Sequence, residues 1–83
     1  MSERSMSAVI KSNYDERSDI LYLTLLNNNE NTYGDEISEN VYLLRDIDSD
    51  IIVGVMIFHP YIHTAIKQKS LNRAGLNIQL SMP

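Results

Sequence analysis

The chain has no cysteine and no tryptophan among its 83 residues. Without cysteine it can form no disulfide, no thiolate metal site and no cysteine nucleophile. Its three glycines, Gly34, Gly54 and Gly75, lie far apart, so no glycine-rich loop for phosphate binding is present. The Gly-x-Ser-x-Gly pattern of a serine hydrolase is missing as well. These absences remove several enzyme classes, and the sequence predicts neither a catalytic residue nor a cofactor.

Long apolar runs are also missing. The longest run spans residues 51–58 and is interrupted by Gly54, whereas a membrane-spanning helix needs roughly 20 apolar residues. The first six residues lack the apolar core of a signal peptide. We therefore expect a cytoplasmic protein with no membrane segment.

Positive charge is scarce. Lysine and arginine number 7 against 11 aspartates and glutamates, which gives a net charge of −4 and a pI near 4.9. Nucleic-acid-binding proteins gather far more positive charge on one face, because phosphate contacts supply most of their affinity. The one local group, Lys67, Lys69 and Arg73, suits the solvated C-terminal end of a helix. We do not expect nucleic acid as a partner.

Four stretches have the alternation and the β-branched content of strands. They are residues 8–12, 19–26, 41–47 and 51–58. The asparagine-rich stretch 27–36 is predicted as a polar connection. Short connections between consecutive strands predict an antiparallel β-meander of about four strands over residues 8–58.

A helix is predicted to follow the strands, over residues 60–74. Pro60 suits its first position, where a missing N–H is tolerated, and Gly75 suits its end. Four residues would form its buried stripe. They are Ile62, Ala65, Ile66 and Lys69. Residues 76–83 then alternate as a terminal strand or arm. The fold class is therefore α+β: one domain over residues 1–83, with one C-terminal helix packed on one face of the sheet.

The second predicted strand is apolar on both faces. Leu21, Leu23 and Leu25 share one face, and Ile20 and Tyr22 share the other. One helix can cover only one face of the sheet, so the other needs a second cover. We therefore expect a homodimer, or another protein partner, on the face that the helix leaves open.

The candidate interface residues are those of one strand face together with the terminal segment. They are Ile20, Tyr22, Tyr42, Leu44, Ile52, Met56, Phe58, Leu76, Ile78 and Leu80. The complementary set of strand residues is the alternative, because the sequence does not tell which face meets the helix. The alternating terminal leucines and isoleucine could add a strand to a partner.

Five short motifs occur in a fixed order. They are Tyr14-Asp15, Asp19-Ile20-Leu21-Tyr22, Gly34-Asp35-Glu36-Ile37, the acidic turn 46–50 and Val53-Gly54-Val55-Met56-Ile57. In this order they resemble the bacterial domain-of-unknown-function family numbered 2283, over about residues 9–60. The chain departs from the family at Met56, where members often have an acidic residue. The resemblance implies a compact β-meander with a helix and no established activity. Some relatives look like partners of small toxin proteins, which implies an antitoxin-like role as an alternative.

His59 and His63 are four residues apart, a spacing that zinc sites on helices use. Pro60 separates them, and no cysteine or nearby glutamate supplies a third ligand. The turn 46–50 copies the opening of a calcium loop, but Ile51 stands where glycine is required. A small metal-binding or enzymatic protein using the two histidines stays an alternative. The favoured prediction is a non-enzymatic interaction module without a metal.

Overall fold

The computed structural model describes residues 9–26 and 31–80. Five strands form one antiparallel sheet. They are β1 (Lys11–Asp15), β2 (Ile20–Thr24), β3 (Thr32–Ser38), β4 (Val41–Asp46) and β5 (Ile52–Phe58). One helix, α1 (Thr64–Arg73), follows. The predicted α+β class with a C-terminal helix is confirmed, with five strands in place of about four.

The spatial order of the strands is β1-β2-β5-β4-β3. β3, β4 and β5 follow one another as a meander, and β1 and β2 form a hairpin that docks onto β5. The sheet is thus not a simple four-stranded meander, because β5 lies between β2 and β4. This order places the strongest β-forming segment at the centre of the sheet, where both of its edges are hydrogen-bonded.

The strand that the sequence did not predict is β3. Its residues are mostly polar and exposed, and it pairs along one side only, with β4. An edge strand needs little apolar character, because one of its edges and much of its surface meet water. The polar connection predicted over residues 27–36 is therefore wrong from Thr32 onward, and residues 27–30 lie outside the described part of the chain.

The first strand lies later in the chain than predicted. β1 pairs with β2 from Lys11 to Asp15, so the ladder continues past residue 12, the predicted end of the strand. Ala8, the predicted first residue of the strand, lies outside the described residues. All of β1 except Asp15 is exposed, which explains why hydrophobic periodicity failed to locate this second edge strand.

The core lies between one face of the sheet and the segment that contains α1 and residues 76–80. Its buried members are Leu21, Leu23, Leu25, Val41, Leu43, Val55, Ile57, Leu71, Leu76 and Ile78. The alternation of β2 therefore sends its leucines to the helix side. The sequence did not tell which face of the sheet meets the helix; in the structure it is the face with Leu21, Leu23 and Leu25.

The predicted helix start and buried stripe are wrong. α1 begins at Thr64, after a turn that includes Pro60, and His63 is its N-cap with φ 54°. Ile62 and Ile66 are 52% and 63% exposed. The buried helix residues are Lys67, Ser70 and Leu71. The face of α1 that meets the core is therefore the one that contains Lys67, Ser70 and Leu71.

The end of the helix was predicted correctly. Gly75 follows the C-cap residue Ala74 and has φ 84°, a left-handed conformation that glycine adopts at little cost. The chain then reverses onto the core, and the Leu76 N–H donates to the Leu71 carbonyl at 3.0 Å.

Residues 76–80 form an arm and not a strand. Gln68 anchors it from the helix: Nε2 donates to the Ile78 carbonyl at 2.6 Å, and Oε1 accepts from the Leu80 N–H at 2.8 Å. Leu76 and Ile78 are buried in the core, and Leu80 packs against it. Their predicted role as a strand added to a partner is therefore incorrect, because they cover this chain's own sheet.

Candidate functional site

The face of the sheet opposite α1 carries six of the seven predicted strand residues of the interface. We call this surface the open face. Its residues are Ile20, Tyr22, Tyr42, Leu44, Met56 and Phe58. The register pairs Ile20 with Phe58, and it pairs Met56 with both Tyr22 and Tyr42. Within residues 9–26 and 31–80 there is one helix, and it packs on the other face.

The six side chains occupy neighbouring positions on three adjacent strands, β2, β5 and β4. Ile20 is 8% exposed, and the other five are half-buried by their neighbours in the sheet. The rings of Tyr42 and Phe58 contact each other with centroids 5.7 Å apart. Tyrosine, phenylalanine and methionine are the residue types enriched at protein interfaces.

Ile52, the seventh strand candidate, is not on the open face. The register of β4 and β5 shifts by one residue, because Leu44 pairs with Gly54 whereas Arg45 pairs with Ile52. This bulge turns Ile52 to the helix side, where it packs against the core. A strict period of two predicted the opposite side, although the isolated glycine within this strand, Gly54, is a sequence signal for a bulge or a close approach of another backbone.

Gly54 lies on β5 at the centre of the sheet, where Leu23 of β2 and Leu44 of β4 both approach it closely. A Cβ at this position would lie 2.8 Å from the Leu23 carbonyl oxygen and 3.4 Å from Leu44 Cδ1. The first of these separations is too short for real atoms, and the oxygen belongs to the backbone. The absence of a side chain therefore fixes the spacing of the central strands.

We expect Gly54→Ala to lower the free energy of unfolding by about 1–3 kcal/mol, the usual cost of overpacking. Gly34→Ala is the matched control, since its Cβ would lie 3.5 Å from Tyr42 Cδ2, an ordinary contact. Urea unfolding of both variants at several protein concentrations measures the difference and separates it from any change in association. Equal stabilities would refute this account of Gly54.

Charged residues lie at the two edges of the open face. The register places Lys11, Asn13 and Asp15 of β1 on this face, opposite Thr24, Tyr22 and Ile20 of β2. Glu36 of β3 lies there too, opposite Tyr42. The apolar centre is thus flanked by polar edge strands, which is the general anatomy of a protein interface.

The structure brings neither histidine together with two further metal ligands among the described residues. His59 Nδ1 lies 2.9 Å from Asp19 Oδ2, and the His59 N–H donates to the Asp19 carbonyl at 2.8 Å. His63 caps α1 and lies beside Glu39 and Asn40. Across residues 9–26 and 31–80, no cluster of three histidine, aspartate or glutamate side chains is placed to hold a metal.

Asp19 joins the β1–β2 turn to the junction of β5 and α1. Besides the His59 contacts, its Oδ1 accepts the Tyr14 hydroxyl at 2.5 Å. The Tyr14 hydroxyl, and then His59, hold the pKa of Asp19 below its usual range. The same hydrogen bond to a carboxylate raises the pKa of Tyr14 to about 12. Asp19 and His59 both have positive φ, 58° and 52°, so this contact holds two backbone conformations that are uncommon for residues other than glycine.

The Asp19 contacts predict a pH dependence. The pKa of Asp19 is lower in the folded state than in the unfolded state. Its contacts therefore add to the free energy of unfolding above the unfolded-state pKa, about 3.9, and this contribution is lost as the pH falls through the folded-state pKa. Asp19→Asn keeps the left-handed backbone, since asparagine tolerates it. We expect the variant to be less stable than wild type at pH 7 and the difference to shrink below pH 4. Urea unfolding from pH 7 to pH 2.5 measures it, and a constant difference would contradict the assignment.

The Lys67 side chain points into the protein and is 3% exposed. Its ammonium group donates to three main-chain carbonyls: Phe58 at 3.0 Å, Ile62 at 2.8 Å, and His59. Burial lowers the pKa of Lys67, and Asp19 and Glu39 oppose that change. Lys67 was predicted to lie on a solvated surface, whereas in the structure it holds the turn before α1.

A groove of about 340 Å³ lies on the helix side between β1 and the arm. Leu21, Leu23 and Ile78 contribute its apolar part, and Ser12 and Asn77 are among its polar lining residues. Among the described residues that line it, Tyr61 has the one titratable side chain. These described residues thus do not include the paired acid and base that enzymatic proton transfer requires.

Comparison of the chain with protein-family models, with curated proteins and with solved structures gave no match. The resemblance to the bacterial domain-of-unknown-function family therefore stays a prediction from the sequence. No helix within residues 9–26 and 31–80 is long and apolar enough to span a membrane.

Proposed function

We propose that the protein is a non-enzymatic interaction module that binds a second copy of itself through the open face. One observation carries this proposal. The helix and the arm cover one side of the sheet, while six apolar side chains remain together on the other. A contiguous apolar surface of this kind marks an interaction site in soluble proteins.

The dimensions of the sheet support a second copy as the occupant. Strands about 4.8 Å apart and about 3.3 Å per residue give the five-stranded face a span of about 24 Å by 20 Å, or about 480 Å² in projection. A standard interface buries about 800 Å² per partner once side-chain relief is counted. A second sheet of the same size matches this area, because two sheets pack face to face across a layer about 10 Å thick.

The mass in solution tests the proposal. Light scattering across a dilution series is expected to give a mass near twice 9.5 kDa at high concentration and a reversible decrease on dilution. A mass of 9.5 kDa at every concentration up to the millimolar range would overturn self-association. In that case the open face would be left for a different protein, such as the toxin partner implied by the family resemblance.

Three further expectations belong to this proposal. They are the family membership, the bacterial origin and the cytoplasmic localisation, all of which rest on the sequence alone. The metal-binding alternative receives no support from the described positions of His59 and His63, because His59 is paired with Asp19 and His63 lies at the helix cap.

A further inference from the structure

We propose that the twofold axis of the dimer runs across the strands, so that Lys11 of each copy pairs with Asp15 of the partner subunit. This inference rests on the proposed self-association and adds its geometry. It follows from the positions of the charged residues on the open face and from the area that a stable dimer needs.

The register divides the open face into three rows that cross the strands. The middle row contains Asn13, Tyr22, Met56, Tyr42 and Glu36. On one side lies the Lys11 row, which contains Lys11, Thr24, Gly54, Leu44 and Gly34. On the other side lies the Asp15 row, which contains Asp15, Ile20 and Phe58. The charges of β1 therefore have opposite signs on the two sides of a neutral Asn13.

The edge strands must take part in the interface. The whole face, about 480 Å² in projection, reaches the roughly 800 Å² that each partner buries in a standard interface only when the side-chain relief of all five strands is counted. A contact limited to the three central strands would be too small. Lys11 and Asp15 on β1 and Glu36 on β3 therefore lie in the interface or at its rim, where their signs influence how the copies are oriented.

A twofold axis along the middle row turns each sheet over and exchanges the two outer rows. β1 then lies over β1 of the partner subunit, and Lys11 lies over its Asp15, twice by symmetry. Lys11 and Asp15 are four residues apart, about 13 Å along the strand, which exceeds the Debye length of about 8 Å. Each therefore acts mainly on its own counterpart. The one unfavourable pair is Glu36 with Glu36 of the partner subunit, at the opposite edge.

The other in-plane axis, along β5, gives no net attraction. It places β1 over β3 of the partner subunit, so that Lys11 and Asp15 both lie one row away from the partner's Glu36. The attraction of the first and the repulsion of the second cancel. Electrostatic complementarity sets the orientation of an interface more than its affinity, and it favours the axis across the strands.

The side chain of Asp15 is available for this pairing. Its Oδ1 accepts the Arg17 N–H at 3.1 Å, and no hydrogen bond within the described chain uses its Oδ2. Lys11 is exposed and makes no ion pair within the described residues. Among residues 9–26 and 31–80, neither charge at this edge of the open face has a charged partner.

Two single charge reversals, Lys11→Glu and Asp15→Lys, distinguish the two axes. With the axis across the strands, each reversal replaces two attractions with two repulsions, and we expect each to weaken the dimer about tenfold. With the axis along β5, Asp15→Lys would instead tighten the dimer, because the new lysine would lie near the partner's Glu36. Sedimentation equilibrium therefore distinguishes the two axes, because Asp15→Lys raises the dissociation constant with one axis and lowers it with the other. Lys69→Glu, on the exposed side of α1, is the control expected to leave it unchanged.

Mixing the two variants gives a second, independent measurement. In a heterodimer across the proposed axis, the new glutamate faces the new lysine, and the unchanged Asp15 faces the unchanged Lys11. Native mass spectrometry with one variant labelled with ¹⁵N is expected to show the heterodimer well above its statistical half of all dimers. Two results would overturn the axis and leave the proposed function intact, provided that the wild type is dimeric. One is a statistical mixture of the two variants, and the other is an Asp15→Lys dimer as tight as the wild type. A monomeric wild type would overturn both.

Discussion

The Met56→Lys variant is expected to be a monomer at concentrations where the wild type is a dimer. Met56 lies on the central strand β5 and pairs with Tyr22 on one side and with Tyr42 on the other. A lysine there would place an ammonium group in the middle of the buried surface without a carboxylate to receive it. Leaving a charge unpaired in an interface is strongly unfavourable. We expect the dissociation constant to rise at least about 100-fold, the effect of a central hot spot.

The matched control for Met56→Lys is Ile66→Lys. Ile66 is the most exposed of the large apolar residues in the described chain, at 63%, and it lies on the outer side of α1. The same change of charge and shape there should leave the dissociation constant unchanged. Circular dichroism and urea unfolding of both variants establish that they are folded. If Ile66→Lys dissociates the protein and Met56→Lys does not, the interface lies on the helix side and the assignment of the open face is incorrect.

The second large effect is expected from Lys67→Met. Methionine retains the apolar stem of the side chain but removes the ammonium donor that the carbonyls of Phe58, His59 and Ile62 share. The His59 carbonyl still accepts the Ile62 N–H at 3.2 Å. The loss of a donor costs a part-buried carbonyl about 1–3 kcal/mol at most, and relief of the desolvated ammonium offsets part of that cost. We expect the free energy of unfolding to fall by about 2–3 kcal/mol, which is a large part of the stability of a small domain.

Lys69→Met is the control for this substitution, because Lys69 lies on the same helix and is exposed. Its effect should stay within about 0.5 kcal/mol, as for most surface changes. Both measurements are best made by urea unfolding in the Met56→Lys background, where association does not add to the apparent stability. A Lys67→Met protein as stable as its parent would mean that water replaces the ammonium group without loss.

The strands that the sequence predicted correctly are those with one face buried in the core. The alternation in β2 and over residues 54–58 of β5 predicted which residues share a face, because both strands are paired on both edges and one of their faces fills the core. Tyr22 and Met56 were therefore placed correctly on one surface. The edge strands β1 and β3 were misplaced or missed, since exposed strands have little apolar periodicity to read.

The region between β5 and α1 was unpredictable for a different reason. Its conformation depends on contacts between distant residues, namely Asp19 with His59 and Lys67 with the carbonyls of the turn. The positive φ of His59 and His63 has no counterpart in local propensity, which disfavours that conformation for histidine. Hydrophobic spacing alone pointed to Ile62 and Ile66 as the buried stripe, whereas tertiary contacts place Lys67 inside.

The central claim is that two copies meet through the open face, and isotope-filtered NMR tests it most directly. In a mixed sample, one copy would carry a ¹³C-labelled methyl group at Met56 and the other would be unlabelled. Nuclear Overhauser effects from this methyl group to aromatic protons of the unlabelled copy are the predicted result, since the Tyr22, Tyr42 and Phe58 rings lie on the same face. A dimer whose intermolecular effects arise only from residues on the helix side, or a sample with none at any concentration, would contradict the claim.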